Sequence, residues 1–413
     1  MRIIISGAGV GGLATAQGLL AAGHEVVVLE RGELQQAGPS GYRLRLDSRA
    51  MTVLARLLPA SLFTALLASG SGRAVNQRLT YLDQRLRPLG STREGDRDVL
   101  TIGRGPLLRL LAHGIADHVR EHRETRSFQI TPDHVSITTT DGQTETGDVV
   151  IVAEGAHSPL RRQLLGDTGG RVLDAGMVSG RVPGRAADLG LTGIADALRH
   201  GYALATGRGG FGMFLSAHDP VTGPAVDPTV AGPIQPDLED PYLIWALLGP
   251  TGRLPGTDAG QSVLRAAVED LTRAWHPDIA HLPRLTDPVS LRRVALYAAP
   301  PVPAWPTTAV TLLGDAVHVV PPTGGIGAST AIRDAGHLVD ALTGIGDRPA
   351  LLNALHQYEQ TMRDYADDIV TGSIAPLRWQ HRLRHPLVYT AVTATRATTF
   401  ALTGRSLPLP SRN

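Results

Sequence analysis

Apolar positions along the chain follow three rhythms. Ile3–Ile5, Val26–Leu29 and Val310–Leu313 are short continuous runs, which suit parallel strands buried on both faces. Helical spacing follows the first run at Leu13, Ala16, Leu19 and Leu20, with Gly23 as its stop. The same spacing predicts helices over Ser48–Leu58, 101–120, Gln261–Trp275, Ser329–Leu342 and Ala350–Val370, with two more to Thr403. Residues 1–75 therefore read as strand, helix, strand, loop and helix. Phe128 to Val152 alternates as a meander around the Asp141-Gly142 turn. Short strands are expected at Leu79–Leu82 and Leu86–Leu89. Residues 173–298 are dense in glycine and proline, with strands expected at Met177–Val182, Phe211–Leu215, Tyr242–Leu248 and Val289–Leu296. The tail Pro408–Asn413 should be loose.

Two glycine-rich segments lie nearly the whole chain apart. In Gly7-Ala8-Gly9-Val10-Gly11-Gly12, the tight turn at Gly7 and Gly9 leaves backbone free to approach a pyrophosphate. Gly12 allows close helix–strand packing, and the helix N-terminus offers unpaired N–H groups and partial positive charge. Glu30 closes the second strand about 20 residues on, where a ribose hydroxyl finds its partner, and Arg31 follows as a further candidate contact. The glycine spacing and Glu30 argue against reading Arg2 and the apolar run as a signal peptide. In the second segment, Asp315 ends the Val310–Leu313 strand and could accept hydrogen bonds from a polyol. Pro321 and Pro322 stiffen a turn. Gly324, Gly325 and Gly327 let backbone lie against a flat ring, and Ser329 or Thr330 would start a helix whose dipole favours negative charge at the ring edge. Together the segments point to one dinucleotide lying across one domain.

Composition narrows the chemistry. The 413 residues include no cysteine and no lysine. This excludes disulfides, cysteine-ligated clusters, thiol nucleophiles, a P-loop lysine and Schiff bases. A net charge of +1 gives no reason to expect nucleic acid, and no apolar run approaches a membrane span. The expectation is a cytoplasmic protein acting on a small molecule.

The motifs GAGVGG with Glu30, AEGAHSPLR at Ala153–Arg161, and GDAVHVVPPTGGIGA at Gly314–Ala328 resemble those of the FAD-dependent aromatic hydroxylases, flavoprotein monooxygenases with the para-hydroxybenzoate hydroxylase fold. The resemblance covers most of residues 1–370. It implies an α/β fold: a discontinuous Rossmann-like FAD-binding domain (1–75, 99–172 and 299–370), an inserted mainly antiparallel β-sheet substrate domain (76–98 and 173–298), and a C-terminal helical segment (371–413). The length would leave no room for the thioredoxin-like C-terminal domain of larger relatives. The resemblance assigns Gly7, Gly9, Gly12 and Glu30 to ADP-ribose, Arg104 to the ribityl and phosphate region, and Asp315 to the ribityl chain. Gly324 to Ala328, with Gly325, Gly327 and Ala328 as cofactor contacts, would line the isoalloxazine, and Pro322 is a further cofactor contact. NAD(P)H would be a transient reductant, and oxygen would pass to an aromatic or polyketide-like substrate, as in natural product biosynthesis. The chain departs from the family pattern at Glu154 (usually Asp), Ile326 (commonly Gln) and Ser329 (usually Asn). These departures keep open an FAD-retaining cyclase that performs no redox chemistry.

Other patterns have plainer readings. His118-Val119-Arg120-Glu121-His122 matches a zinc-binding spacing on a helix, but the helix is already explained by its apolar stripe. His318 reads as packing under the flavin loop rather than as an acid–base group. Arg161 could grip a pyrophosphate or, with Arg162, begin a helix. Arg43 and Arg45 read as flavin or substrate contacts, or as a solvated edge strand. Tyr202, Tyr242 and Trp245 could line a pocket or pack the sheet.

Overall fold

The computed structural model describes residues 1–34, 43–71, 78–93, 99–166, 170–219 and 234–403. The tail Pro408–Asn413 lies outside them. The first apolar run forms a strand, Arg2–Ser6, at the centre of a five-stranded parallel sheet. On one side lie Val149–Val152 and Val310–Leu312; on the other lie Glu25–Leu29 and Val119–Arg120. Ile3, Ile4 and Ile5 are fully buried, as expected for a sheet covered on both faces. The helix Val10–Ala21 follows the first strand and packs against Gly327–Leu342. Gly18 makes this approach close, since a Cβ there would stand 2.8 Å from Val339.

A second sheet has seven strands, in the order Arg292–Ala298, Arg171–Pro183, Tyr242–Gly249, Gly212–His218, Gly201–Thr206, Arg78–Asp83 and Pro88–Arg93. Its pairs are antiparallel except Gly201–Thr206 with Arg78–Asp83. Alternation gives it two faces. Val178, Leu215, Trp245 and Leu247 belong to an apolar core, while Ser179, Phe214, Ser216, Ala246 and Leu248 line the cavity described below. Of the expected Phe128–Val152 meander, Thr125–Gly147 forms a separate three-stranded antiparallel sheet, whereas Val149–Val152 leaves it for the parallel sheet; Arg43–Leu46 pairs with Leu100–Gly103.

Several elements differ from the expectations. The 101–120 helix stops at Ala112, because Gly114 takes a left-handed φ of 76°. Val119–Arg120 is then a strand, and His122 has φ 57°. The two histidines are therefore not one helical turn apart. His118 Nδ1 lies 3.2 Å from the Val26 carbonyl, and His122 faces Glu33. No group of three or more potential metal ligands occurs among the described residues. The strand expected at Val289–Leu296 begins only at Arg292, because Asp287 caps a short helical turn by accepting from Val289 N. Two helices expected between Ala350 and the chain's end are one: Arg348–Arg382 runs unbroken through the 370/371 boundary, with Pro376 inside it, and Pro386–Thr403 follows. Helices at Ala60–Ser69, Thr192–Leu198 and Pro277–Leu285 and the strand Gly201–Thr206 were not expected. No helix among the described residues is long and apolar enough to cross a membrane.

Candidate functional site

Between the two large sheets lies a cavity of about 1010 Å³. One end is the turn after the first strand. Gly7 has φ 107°, and a Cβ there would stand 2.5 Å from the Ala153 carbonyl oxygen. A Cβ on Gly12 would collide with the Gly7 carbonyl. Both glycines are demanded by the protein itself. Gly9 differs: the nearest atom to a Cβ there is Ala153 O, at 3.9 Å. Its missing side chain leaves room on the cavity side. The helix that begins at Val10 has no side-chain cap and no acid in its first turn, so its terminal N–H groups remain available to an anion.

Glu30 shapes this turn. Its Oε2 accepts from Ala8 N at 2.7 Å and its Oε1 from Gly32 N at 2.8 Å. Arg31 and Arg104 also line the cavity, and neither forms an ion pair among the described residues. An open glycine, an uncapped helix end and two unpaired cations suit a pyrophosphate. Glu154, the enlarged residue of the middle motif, turns toward protein partners. It accepts from Ser6 Oγ at 2.6 Å and from the Thr125 and Ser158 hydroxyls. Burial holds its carboxyl above the ordinary range against those hydrogen bonds.

The middle of the cavity is built by Gly314–Ala328. Asp315 lies exposed on the cavity wall. The surrounding protein raises its carboxyl by desolvation, with His318 opposing and Asp334 adding to the shift. Pro322–Gly324 is a single helical turn ending at Gly325, whose φ is 61°. Thr323 Oγ1 donates to the Ser373 carbonyl at 2.7 Å, tying the loop to the long helix. The helix Gly327–Leu342 starts without a side-chain cap. Ser329, expected as a possible cap, instead bridges elements: its Oγ donates to Arg45 O at 3.1 Å and accepts from Asp47 N at 3.0 Å.

Beneath this loop sits a buried pair. His318 Nε2 lies 2.6 Å from Asp334 Oδ2, and both residues are at most 1% exposed. Asp334 also accepts from Gly314 N at 2.8 Å and from the Tyr365 hydroxyl. Burial opposes charge on both partners, but the mutual attraction prevails. His318 is raised and Asp334 lowered.

A family model for the FAD binding domain matches residues 1–216 and 265–373, well over half of the chain. The chain belongs to this family. It is 29% identical over 374 residues to the dual O-methyltransferase/FAD-dependent monooxygenase elcB of Phaeosphaeria nodorum. That match covers 80% of this chain but only 39% of the relative, so the chain spans about two fifths of that protein's length. It is 27% identical over 341 residues to the FAD-dependent urate hydroxylase of Klebsiella pneumoniae, covering 80% of this chain and 78% of the relative. A crystal structure of a proposed FAD-containing monooxygenase from Photorhabdus luminescens superposes with TM-score 0.77 at 27% identity. It covers 93% of this chain and 98% of the other.

Within this FAD-binding fold, all eleven positions singled out from sequence line the one cavity: Gly7, Gly9, Gly12, Glu30, Arg31, Arg104, Asp315, Pro322, Gly325, Gly327 and Ala328. Arg43, Arg45 and Tyr202 join them. Arg161 does not; it is 2% exposed and buried away from the cavity surface. Trp245 packs the sheet, with Nε1 donating to Thr286 Oγ1 at 2.8 Å. Tyr242 donates to Glu239 Oε2 at 3.0 Å and carries the Arg181 guanidinium over its ring. Sequence reasoning missed the far wall: Leu204, Phe214, Ile244 and Leu248 from the seven-stranded sheet, and Pro376 and Trp379 from the long helix. Strand alternation at 202–206 and 244–248 was the available signal.

Proposed function

We propose that the chain is an FAD-dependent monooxygenase that uses NAD(P)H and hydroxylates or epoxidises an aromatic or polyketide-like small molecule. The reading rests on one observation. A single cavity joins a glycine cradle with unpaired cations at one end to an apolar chamber under a sheet at the other, with the Pro322–Ala328 loop between them. Gly7, Gly9, Gly12, Glu30, Arg31 and Arg104 would hold the adenosine and pyrophosphate. Asp315 would take the ribityl chain, and Pro322, Gly325, Gly327 and Ala328 the ring system. Bound FAD supplies electron storage and oxygen activation.

The chain's own residues do the rest. The uncapped N-terminus of Gly327–Leu342 favours negative charge beside the loop. Leu204, Phe214, Ile244 and Leu248 keep water from the chamber and suit a flat ring. A relative named as a urate hydroxylase supports a small ring substrate. The test is anaerobic mixing of FAD-loaded protein with NADPH or NADH, following the flavin absorbance with and without candidate aromatic substrates. Bleaching that a substrate accelerates is the expected result. A flavin reduced by dithionite but by neither nicotinamide would overturn the proposal in favour of an FAD-retaining cyclase.

A further inference from the structure

A side pocket of about 260 Å³ adjoins the cavity. Arg43 and Tyr202 line both spaces. Arg43 projects from the Arg43–Leu46 strand, and its Nη2 donates to Thr101 Oγ1 at 2.6 Å. Its Nε and Nη1 are buried and have no hydrogen-bond partner. No carboxylate pairs with it among the described residues; the pocket's one acid, Asp219, is taken by Arg185 through two hydrogen bonds.

A second orphan group faces the same pocket. His218 is 1% exposed, and its Nε2 has no partner. Ser71 Oγ stands 3.2 Å from His218 Nδ1, while Thr101 Oγ1 donates to the Ser71 carbonyl at 2.6 Å. Ser71 Oγ also lies 3.2 Å from Thr101 Oγ1, so the tautomer follows the Ser71 hydroxyl: when it donates to Nδ1, Nε2 carries the ring proton. Burial, Arg43 and Arg181 lower the ring to about 4 against the attraction of Asp219, so it is neutral at physiological pH. The junction thus offers two unsatisfied guanidinium N–H donors and one unpartnered imidazole nitrogen in an enclosed space. Buried donors left unpaired are costly, and cationic ones are the costliest. An anionic acceptor relieves both guanidinium donors, and the imidazole as well when its proton is on Nε2.

We propose that the substrate carries a carboxylate or an equally acidic oxyanion, which Arg43 grips at this junction with His218 beside it. This deepens the monooxygenase reading and rests on it, because it places the rest of the substrate in the chamber next to the flavin loop. It also makes Arg43 a specificity-determining residue, since a guanidinium fork suits a carboxylate.

The test is equilibrium binding to the FAD-loaded protein of two matched pairs: salicylate with salicylamide, and 1-hydroxy-2-naphthoate with its carboxamide. Perturbation of the flavin absorbance reports binding. The acids should bind about tenfold or more tightly than the amides. Arg43→Met should abolish that preference while leaving amide affinity within about twofold, and Arg43→Lys should restore part of it. Flavin content and melting temperature report folding of each variant. Equal affinity for acid and amide, failure of both acids to bind, or a preference that survives Arg43→Met would overturn the inference and leave the monooxygenase reading standing. Failure to take up FAD would overturn both.

Discussion

Glycines with the same appearance in the sequence do different work in the first turn. Gly7→Ala forces a side chain into a left-handed φ and against the Ala153 carbonyl, and should cost about 2 kcal/mol or more in chemical denaturation. Gly9→Ala meets no close atom and should leave the apoprotein within about 0.5 kcal/mol of wild type. The same change should weaken FAD binding about tenfold or more by intruding on the pyrophosphate.

The His318–Asp334 pair makes stability depend on pH from both sides. Asp334 is lowered by His318 against the cost of burial. Its contribution is full above the unfolded carboxylate value of about 4 and is lost as pH falls through the folded value. His318 is raised by Asp334 against the cost of burial. Its contribution is full below about 6.5 and is lost as pH rises through the folded value. Wild type minus His318→Asn in melting temperature should therefore be largest at mildly acidic pH and shrink toward alkaline pH. A pH-independent difference would show that the pair is not ionised. Neither the pair nor Ser329's bridge was legible in sequence, because Asp334 and Arg45 reach their partners only through tertiary packing.

At the scale of elements, Ser329 joins three pieces of structure. It hydrogen-bonds both Arg45 O and Asp47 N from the first turn of Gly327–Leu342. Ser329→Ala leaves both backbone groups short of a partner and should cost about 1–3 kcal/mol in urea unfolding. A change below about 0.3 kcal/mol would mean that the bridge carries no stability. The continuous apolar runs gave three of the five parallel strands almost to the residue, since burial on both faces leaves little else for such runs to be. The strand Gly201–Thr206 escaped notice because Ala203 and Ala205 have weak strand preference. It is held by pairing with Arg78–Asp83, more than 100 residues away. The zinc-like spacing at His118–His122 was legible as a pattern and wrong as a geometry, because Gly114 breaks the helix that the pattern requires.

For the molecule as a whole, distance in sequence is the main feature. Gly7–Gly12 and Asp315–Ala328 meet at one cavity because Val149–Val152 is the only strand between Arg2–Ser6 and Val310–Leu312 in the parallel sheet. Ligands in open α/β sheets bind outside the carboxyl ends of the strands, and both motifs follow such ends. The cradle was therefore readable from spacing and strand position. The substrate chamber was not. Its walls come from side chains on alternate positions of five strands, and which parity faces inward depends on a register no single strand reveals.

The most direct measurement is reconstitution of the FAD-free chain by equilibrium titration, with wild type beside Gly9→Val and Asp315→Ala. Gly9 and Asp315 stand in the two distant motifs, and each lines the cavity. Wild type should bind one FAD per chain, and each variant should fold yet bind FAD at least about tenfold more weakly. Full FAD affinity in either folded variant would contradict a single cofactor held by both ends of the chain.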